Sequence, residues 1–394
     1  MGGCVRDMLL GREPKDFDVA TNALPEEVAE LFRNCRLIGR RFRLAHIMFG
    51  KEIIEVATFR AGSPAGKNDD HQMDDGMILR DNVYGSIEED ACRRDFRINA
   101  LYYNINDFSV VDFTGGLADL HAGVLSLIGD PQVRLREDPV RMLRAVRFAV
   151  KLGFRIDHAC EQSMFELAAD MQRVPAARLF DELSKLFLTG FAVQTFEMLR
   201  HYGLFAQLFP DTDRLLESGG RDHMHRLLTR GLENSDIRVA ENKPVTPAFL
   251  LAVLLWEPMQ EVTAQFEAQG MKAMEAMHSA MSEVIRRQAE YIALPRRFSV
   301  QIKEIWALQN RLARRGKRAL QLLQHPRFRA AYDFLLLRGE SEPELKELCD
   351  WWTAFQERGE SGRENMLKKE QRRRSRRRRR RNTEEQTPPA SSDA

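Results

Sequence analysis

Cysteine is scarce in this 394-residue chain: five residues, Cys4, Cys35, Cys92, Cys160 and Cys349, scattered and odd in number. No C-x-x-C pair occurs, which excludes a cysteine-based zinc ribbon or dithiol redox motif and makes buried, reduced thiols the expected state. No apolar run approaches the roughly 20 residues that span a bilayer, and the N-terminus has neither a basic n-region nor an apolar h-region. The chain therefore reads as cytoplasmic with no membrane span. It also lacks a fixed-length repeat, which argues against a solenoid. Net charge is small, +2, but unevenly placed: residues 363–381 hold twelve Lys and Arg against two Glu, so the rest of the chain is net acidic.

What is present is the composition of a globular protein, 43% hydrophobic and 30% charged, long enough for two or three domains. Residues 1–128 carry short Val, Ile, Phe and Tyr-rich runs, "FDVAT", "RLAHIMFG", "EIIEVATF", "ALYYNI" and "SVVDF", bounded by Gly, Asn or Asp as strands are. "PEEVAELFRN" opens with proline and acids, a helix start. Residues 61–76, "AGSPAGKNDDHQMDDG", have no apolar period and are expected to form a mobile loop that contacts substrate or closes as a lid. From Asp138 the period becomes helical, as in "PVRMLRAVRFAVKLGF", where Val140, Leu143, Val146 and Val150 share a face. Helices are expected to about residue 357. Beyond them "LKKEQRRRSRRRRRRNTEEQTPPASSDA" has too little apolar surface to offset its ordering entropy and is expected to be disordered. The fold class is α+β followed by all-α.

"GGCVRDMLLGREPKDFDVAT" sets Asp16 and Asp18 one residue apart. In a strand both point to one face, with Phe17 turned into the core. Two adjacent carboxylates repel unless a cation lies between them, and Mg²⁺ takes such oxygen ligands. A solvated turn is the plain alternative. Gly2 and Gly3 let a backbone approach phosphate, and "CVRDMLLG" reads as a helix whose N-terminus faces it. Arg6 either joins that site or pairs with Asp7. Two-metal phosphoryl transfer usually needs another carboxylate. Glu55, in "EIIEVATF", is one candidate. Asp95, in "EEDACRRDFRINALYY", is the other. That segment reads as a helix with Arg94 and Arg97 on one face and Asp95 and Asn99 on another. In "REDPVRMLRAVRF", Asp138 and Arg141 are spaced to orient each other before a nucleobase, with Arg144 and Arg147 following; a helix cap at Asp138 is the alternative.

Together these motifs resemble the bacterial poly(A) polymerase and CCA-adding group, class II of the polymerase-beta nucleotidyltransferase superfamily. The resemblance runs from Gly2 to about residue 350. "RNCRLIGRRFRLAHIMFG" before "EIIEVATFR", and the basic tail, look like the poly(A) polymerase branch. It implies a mixed-sheet nucleotidyltransferase head over 1–128, a helical nucleotide- and RNA-binding neck over 129–230, a helical RNA-binding body over 231–358 and a disordered arginine-rich tail over 359–394. Asp16 and Asp18 would hold two Mg²⁺ ions, and Asp95 would be the third acid, with Glu55 its rival. Gly2, Gly3, Arg6, Arg94, Arg97, Asn99, Asp138, Arg141 and Arg144 would bind the nucleotide. The reaction implied is template-independent addition of AMP from ATP to RNA 3′ ends, with pyrophosphate released and RNA decay promoted. Arg372, Arg373, Arg374, Arg376, Arg377, Arg378, Arg379, Arg380 and Arg381 would add salt-sensitive RNA affinity. Members of this group usually carry an apolar strand before the glycine pair, and here Met1 stands there, so the sheet is expected to lack that strand.

Two other classes fit parts of the pattern. A CCA-adding transferase shares the catalytic motifs, and a non-catalytic RNA-binding protein would need only the tail. A metal-dependent phosphohydrolase fits poorly, because His223 and His225 in "RDHMH" diverge by about 200° on a helix.

Overall fold

Four short strands build the sheet of the N-terminal half: β1 (Asp18–Thr21), β2 (Cys35–Ile38), β3 (Leu44–Phe49) and β4 (Glu52–Thr58), in the order β1-β4-β3-β2. β1 runs parallel to β4, and the other neighbours are antiparallel, so the sheet is mixed. The computed structural model describes residues 1–39, 43–61, 71–74, 77–81, 83–219, 222–316 and 318–384. Helix α1 (Gly3–Leu9) precedes the sheet, and α2 (Pro25–Leu31) covers one face of it. Val28 of α2 packs with Ala45, Ile47 and Val56, every second residue of β3 and one of β4. The alternate residues, Glu55 and His46 among them, therefore line the opposite face.

Phe17 departs from expectation. β1 begins only at Asp18, so Phe17 precedes the strand and is 55% exposed rather than buried. The expected loop over 61–76 is also shorter than its composition implies. Residues 62–70 and 75–76 lie outside the described residues, and His71–Asp74 is a strand, β5, paired with β6 (Met77–Asp81).

The helix expected across residues 88–103 stops early. A Ser86–Glu89 capping box starts α3 (Ile87–Cys92), and the chain then extends through Phe96 and a single 3-10 turn, Arg97–Asn99. Phe96, Ile98 and Ala100 are all fully buried. Phe96 is extended, Ile98 lies within the 3-10 turn and Ala100 ends it, so an irregular path rather than an α-helix buries all three. β7 (Leu101–Tyr103) and β8 (Val110–Asp112) close a hairpin, and α4 (Gly116–Ala122) follows. A Cβ at Gly116 would lie 2.3 Å from the Arg97 carbonyl oxygen, so only glycine permits this approach.

β9 (Val124–Leu125) pairs in parallel with β10 (Arg155–Ile156), and between them run α5 (Pro131–Glu137) and α6 (Val140–Leu152). The expected apolar face of α6 is present, with Val140, Leu143 and Val146 buried and Val150 half-buried. α7 (His158–Leu167) and α8 (Ala176–Phe187) complete the helices around the site.

The chain divides into two compact units. Residues 1–187 with 194–208 form one, and residues 188–193 with 209–394 form the other. Most of the expected neck, residues 129–187 and 194–208, thus falls in the same unit as the head. The second unit is helical, with Leu308, Leu312, Tyr332, Leu335, Trp352 and Phe355 in its core. His223 lies 3.5 Å from Glu257 there.

The tail differs from its composition. Its backbone continues as a helix, Glu360–Glu384, and residues 385–394 lie outside the described residues. Two contacts account for its start. Leu367 enters the core of the second unit, and Arg363 donates to the Phe355 and Gln356 carbonyls at 2.9 Å each, capping the preceding helix. Among the cysteines, Cys4, Cys160 and Cys349 are buried and Cys35 is half-buried, but Cys92 is exposed, at the end of α3. Among the described residues no helix is long and apolar enough to cross a membrane.

Candidate active site

A cleft of about 790 Å³ opens within the first unit, and the two opening carboxylates, Asp16 and Asp18, line it with Glu55 and Asp95. Asp18 is the first residue of β1 and stands opposite Glu55 of β4. Asp16 is exposed and Asp18 half-buried, and among the described residues neither side chain has a hydrogen-bond or ion-pair partner. Glu55 is 47% exposed and lies 3.1 Å from His46. No three acidic, His or Cys side chains of the described residues already stand in metal-coordinating geometry. The donor set nevertheless suits a hard divalent ion: Asp16, Asp18 and Glu55 line one cleft, with Asp16 and Asp18 unpartnered among the described residues.

Asp95 is placed differently. Its Oδ1 accepts from the Phe96 N–H at 2.8 Å and from Asn99 at 3.3 Å, and its Oδ2 accepts from Arg144 Nε at 2.7 Å. Burial alone would raise the Asp95 pKa, but Arg144 and the two donors on Oδ1 outweigh it and hold the carboxyl below its ordinary value. Asn99 in turn accepts from Arg6, which is buried and paired with Asp7 at 2.6 Å. Arg6 thus does both, pairing with Asp7 and lining the cleft, where Arg6, Asn99, Asp95 and Arg144 form a single polar chain.

Arg94 is likewise engaged. It contacts Asp90 at 3.0 Å, the Tyr102 hydroxyl at 3.0 Å and the Asn99 carbonyl at 3.3 Å. Burial pulls the guanidinium down, yet Tyr102 and Asp90 leave its pKa raised. Arg97 does not reach the cleft; it lies 3.8 Å from Asp119. The expected pairing of Arg94 with Arg97 fails because the segment is not helical there. Gly2 sits at φ +72°, donates its N–H to the Leu101 carbonyl at 2.8 Å and would place a Cβ 3.1 Å from Arg94. Its glycine is explained by that backbone and that neighbour, while Gly3 lines the cleft.

Asp138 is paired not with Arg141 but with Arg178 of α8, through two bonds of 3.0 and 2.9 Å. Arg141 is buried and donates to the Arg134 carbonyl and to Glu137. Arg178 was invisible in the sequence, forty residues away with no motif to join it to Asp138. Arg93 and Arg147 also line the cleft, and the cations there that sequence reasoning missed besides Arg178 are Lys15, Arg60, Arg134, Lys151 and Lys185. Arg93 carries the clearest mark of this crowding: burial, then Arg60 and Arg134, push its pKa down to about 9. Such a concentration of positive charge beside free carboxylates suits a polyphosphate.

Residues 1–126 match the family model described as the Poly A polymerase head domain, residues 153–216 the one described as a probable RNA and SrmB-binding site of polymerase A, and residues 269–385 the polymerase A arginine-rich C-terminus. The chain is 50% identical over 377 residues to Poly(A) polymerase I of Escherichia coli, covering 94% of this chain and 81% of that one. The chain belongs to the bacterial poly(A) polymerase family. Similarity to a CCA-adding enzyme of Geobacillus is lower, 34% identity over 59% of this chain and 56% of that one. The fold of this family member matches the crystal structure of the Bacillus stearothermophilus CCA-adding enzyme in complex with CTP, with a TM-score of 0.58 at 24% identity over 88% of this chain and 76% of that one.

Proposed function

We propose that this chain adds AMP from ATP to RNA 3′ ends without a template, releasing pyrophosphate, and that it does so in the cytoplasm, where ATP and RNA meet. The observation that carries the reading is the set of Asp16, Asp18 and Glu55 on one side of a cationic cleft, in a chain half identical to a poly(A) polymerase. Asp16 and Asp18 are the residues that would hold two Mg²⁺ ions, with Glu55 as the third carboxylate. Glu55 is preferred to Asp95 because both oxygens of Asp95 are already committed to Arg144, Phe96 and Asn99. When bound, such ions neutralise phosphate charge and make the attacking 3′-hydroxyl a better nucleophile.

The chain's own residues supply the rest. Arg144, held in place by Asp95, offers charge toward the α- and β-phosphates; Arg147 and Lys185, which share the single carboxylate Glu182, and Lys151, 3.8 Å from Asp7, add to the field that draws ATP in. The planar Asp138–Arg178 pair presents both an acceptor and donors, the complement of an adenine amino group and its neighbouring ring nitrogen. The second unit and its arginine-rich helix bind the RNA.

Incubating the purified protein with RNA and each nucleoside triphosphate separately tests the reading. Long tails from ATP alone are expected. Addition of C, C and A confined to tRNA ends would instead assign a CCA-adding enzyme, and RNA binding without incorporation would assign a non-catalytic RNA-binding protein. Asp16→Ala should abolish incorporation and leave RNA binding intact.

A further inference from the structure

A polar row crosses the sheet that presents Asp18. Register sets Asp18 opposite Glu55, Glu55 opposite His46, and His46 opposite Arg36. Residues directly opposite on adjacent strands share a face, so all four side chains line the face turned away from α2. His46 stands at its centre with a side chain only 17% exposed. Its Nε2 has lost contact with solvent and lies 3.1 Å from Glu55 Oε1, within ion-pair distance but without hydrogen-bond alignment, and it has no hydrogen-bond partner among the described residues. The remaining positions of β3 that face the same way are Leu44 and Met48, so packing alone does not call for an imidazole here.

We propose that His46 is a positioning residue for Glu55. This rests on the reading that Glu55 completes the carboxylate set. Glutamate has three side-chain torsions, and at 47% exposure Glu55 is free to swing. On one side stands Asp18, a like charge that drives it away; on the other, 3.1 Å away, stands His46 Nε2, a buried atom with no hydrogen bond that a small rotation of the Glu55 carboxylate would satisfy. Held from that side, Glu55 keeps its second oxygen toward the cleft, beside Asp18. His46 touches neither nucleotide nor RNA in this scheme and acts only through Glu55.

The test compares His46→Leu and His46→Gln in the full chain, following AMP incorporation over a series of ATP concentrations, with melting curves for both. For His46→Leu, kcat falls on the order of tenfold while KM for ATP stays within about twofold. His46→Gln keeps an N–H donor near Glu55 and recovers most of the rate, and the two variants melt alike. The double variant H46L/E55Q loses no more than E55Q alone, since a residue acting through Glu55 has nothing left to position. Four results overturn the proposal: wild-type kcat in His46→Leu, equal losses in the Leu and Gln variants, a change confined to KM, or additive losses in the double variant. Wild-type incorporation by Asp16→Ala or Glu55→Gln would instead remove the parent reading, and is seen without reference to His46.

Discussion

Glu55 and Asp95 are both carboxylates in the same cleft, yet their surroundings differ, and the proposed function gives them different work. Glu55 has a single neighbour and an open side, whereas Asp95 sits in the polar chain that links Arg6, Asn99 and Arg144. Removing charge at each should therefore give different signatures. Glu55→Gln is expected to lower AMP incorporation on the order of a hundredfold, to a residual rate still measurable at high enzyme, with an unchanged melting temperature. Asp95→Asn is expected to lower stability by about 1–3 kcal/mol, because Arg144 loses its partner in a partly buried site, and to weaken ATP use as Arg144 drifts. Enzyme assay and thermal melting of the two variants check both; a stable, inactive Asp95→Asn would return the third-acid role to Asp95. The sequence made both acids legible as candidates because residue type and motif survive in one dimension. It left them unresolved because what separates them is the company of Arg144, forty-nine residues away.

At the level of elements, the strands around the site were legible wherever apolar alternation met a turn residue, as in "EIIEVATF" and "RLAHIMFG". The segment after Cys92 was not. Its charged residues at three- and four-residue spacings matched a helix, while the packing that prevailed buries Phe96 on extended chain, Ile98 in a 3-10 turn and Ala100 at its end, a path that no single period announces. The two-residue strands β9 and β10 are too short to carry a pattern at all. One helix start rests on a purely local contact that sequence reasoning passed over. Asp112 accepts from the N–H groups of Thr114, Gly115, Gly116 and Leu117 at 2.9–3.0 Å and so starts α4. Burial would raise its pKa, but the four N–H groups outweigh that and lower it. A folded-state pKa below the unfolded one means that this stabilisation is complete above the ordinary carboxylate range, roughly pH 4, and disappears as pH falls through the lowered folded value. Asp112→Ala is thus expected to cost about 1–2 kcal/mol at neutral pH and progressively less in acid, measured by denaturant unfolding across pH.

For the whole molecule, the net charge of +2 conceals two concentrations of positive charge, one lining the cleft of the first unit and one on the terminal helix of the second. They serve different steps, and the terminal helix can be divided to show it. Its beginning is structural: Arg363 caps the preceding helix, Leu367 is 6% exposed in the core, and Arg373 pairs with Glu347. Its later part holds Arg374 and Arg376 to Arg381, seven charges with no apolar residue among them. Truncation after Arg373 should leave the melting temperature and the incorporation rate at saturating RNA unchanged. RNA affinity should fall, and the slope of log affinity against log salt should shrink by up to about 5, the counterions released by seven phosphate contacts on single-stranded RNA. Truncation after Gly359 should add a stability loss, because it takes Leu367 and the Arg363 cap as well. Filter binding across a salt series, with melting curves for both truncations, distinguishes the two. A salt slope that does not change on removal of residues 374–394 would place the RNA contacts elsewhere in the chain.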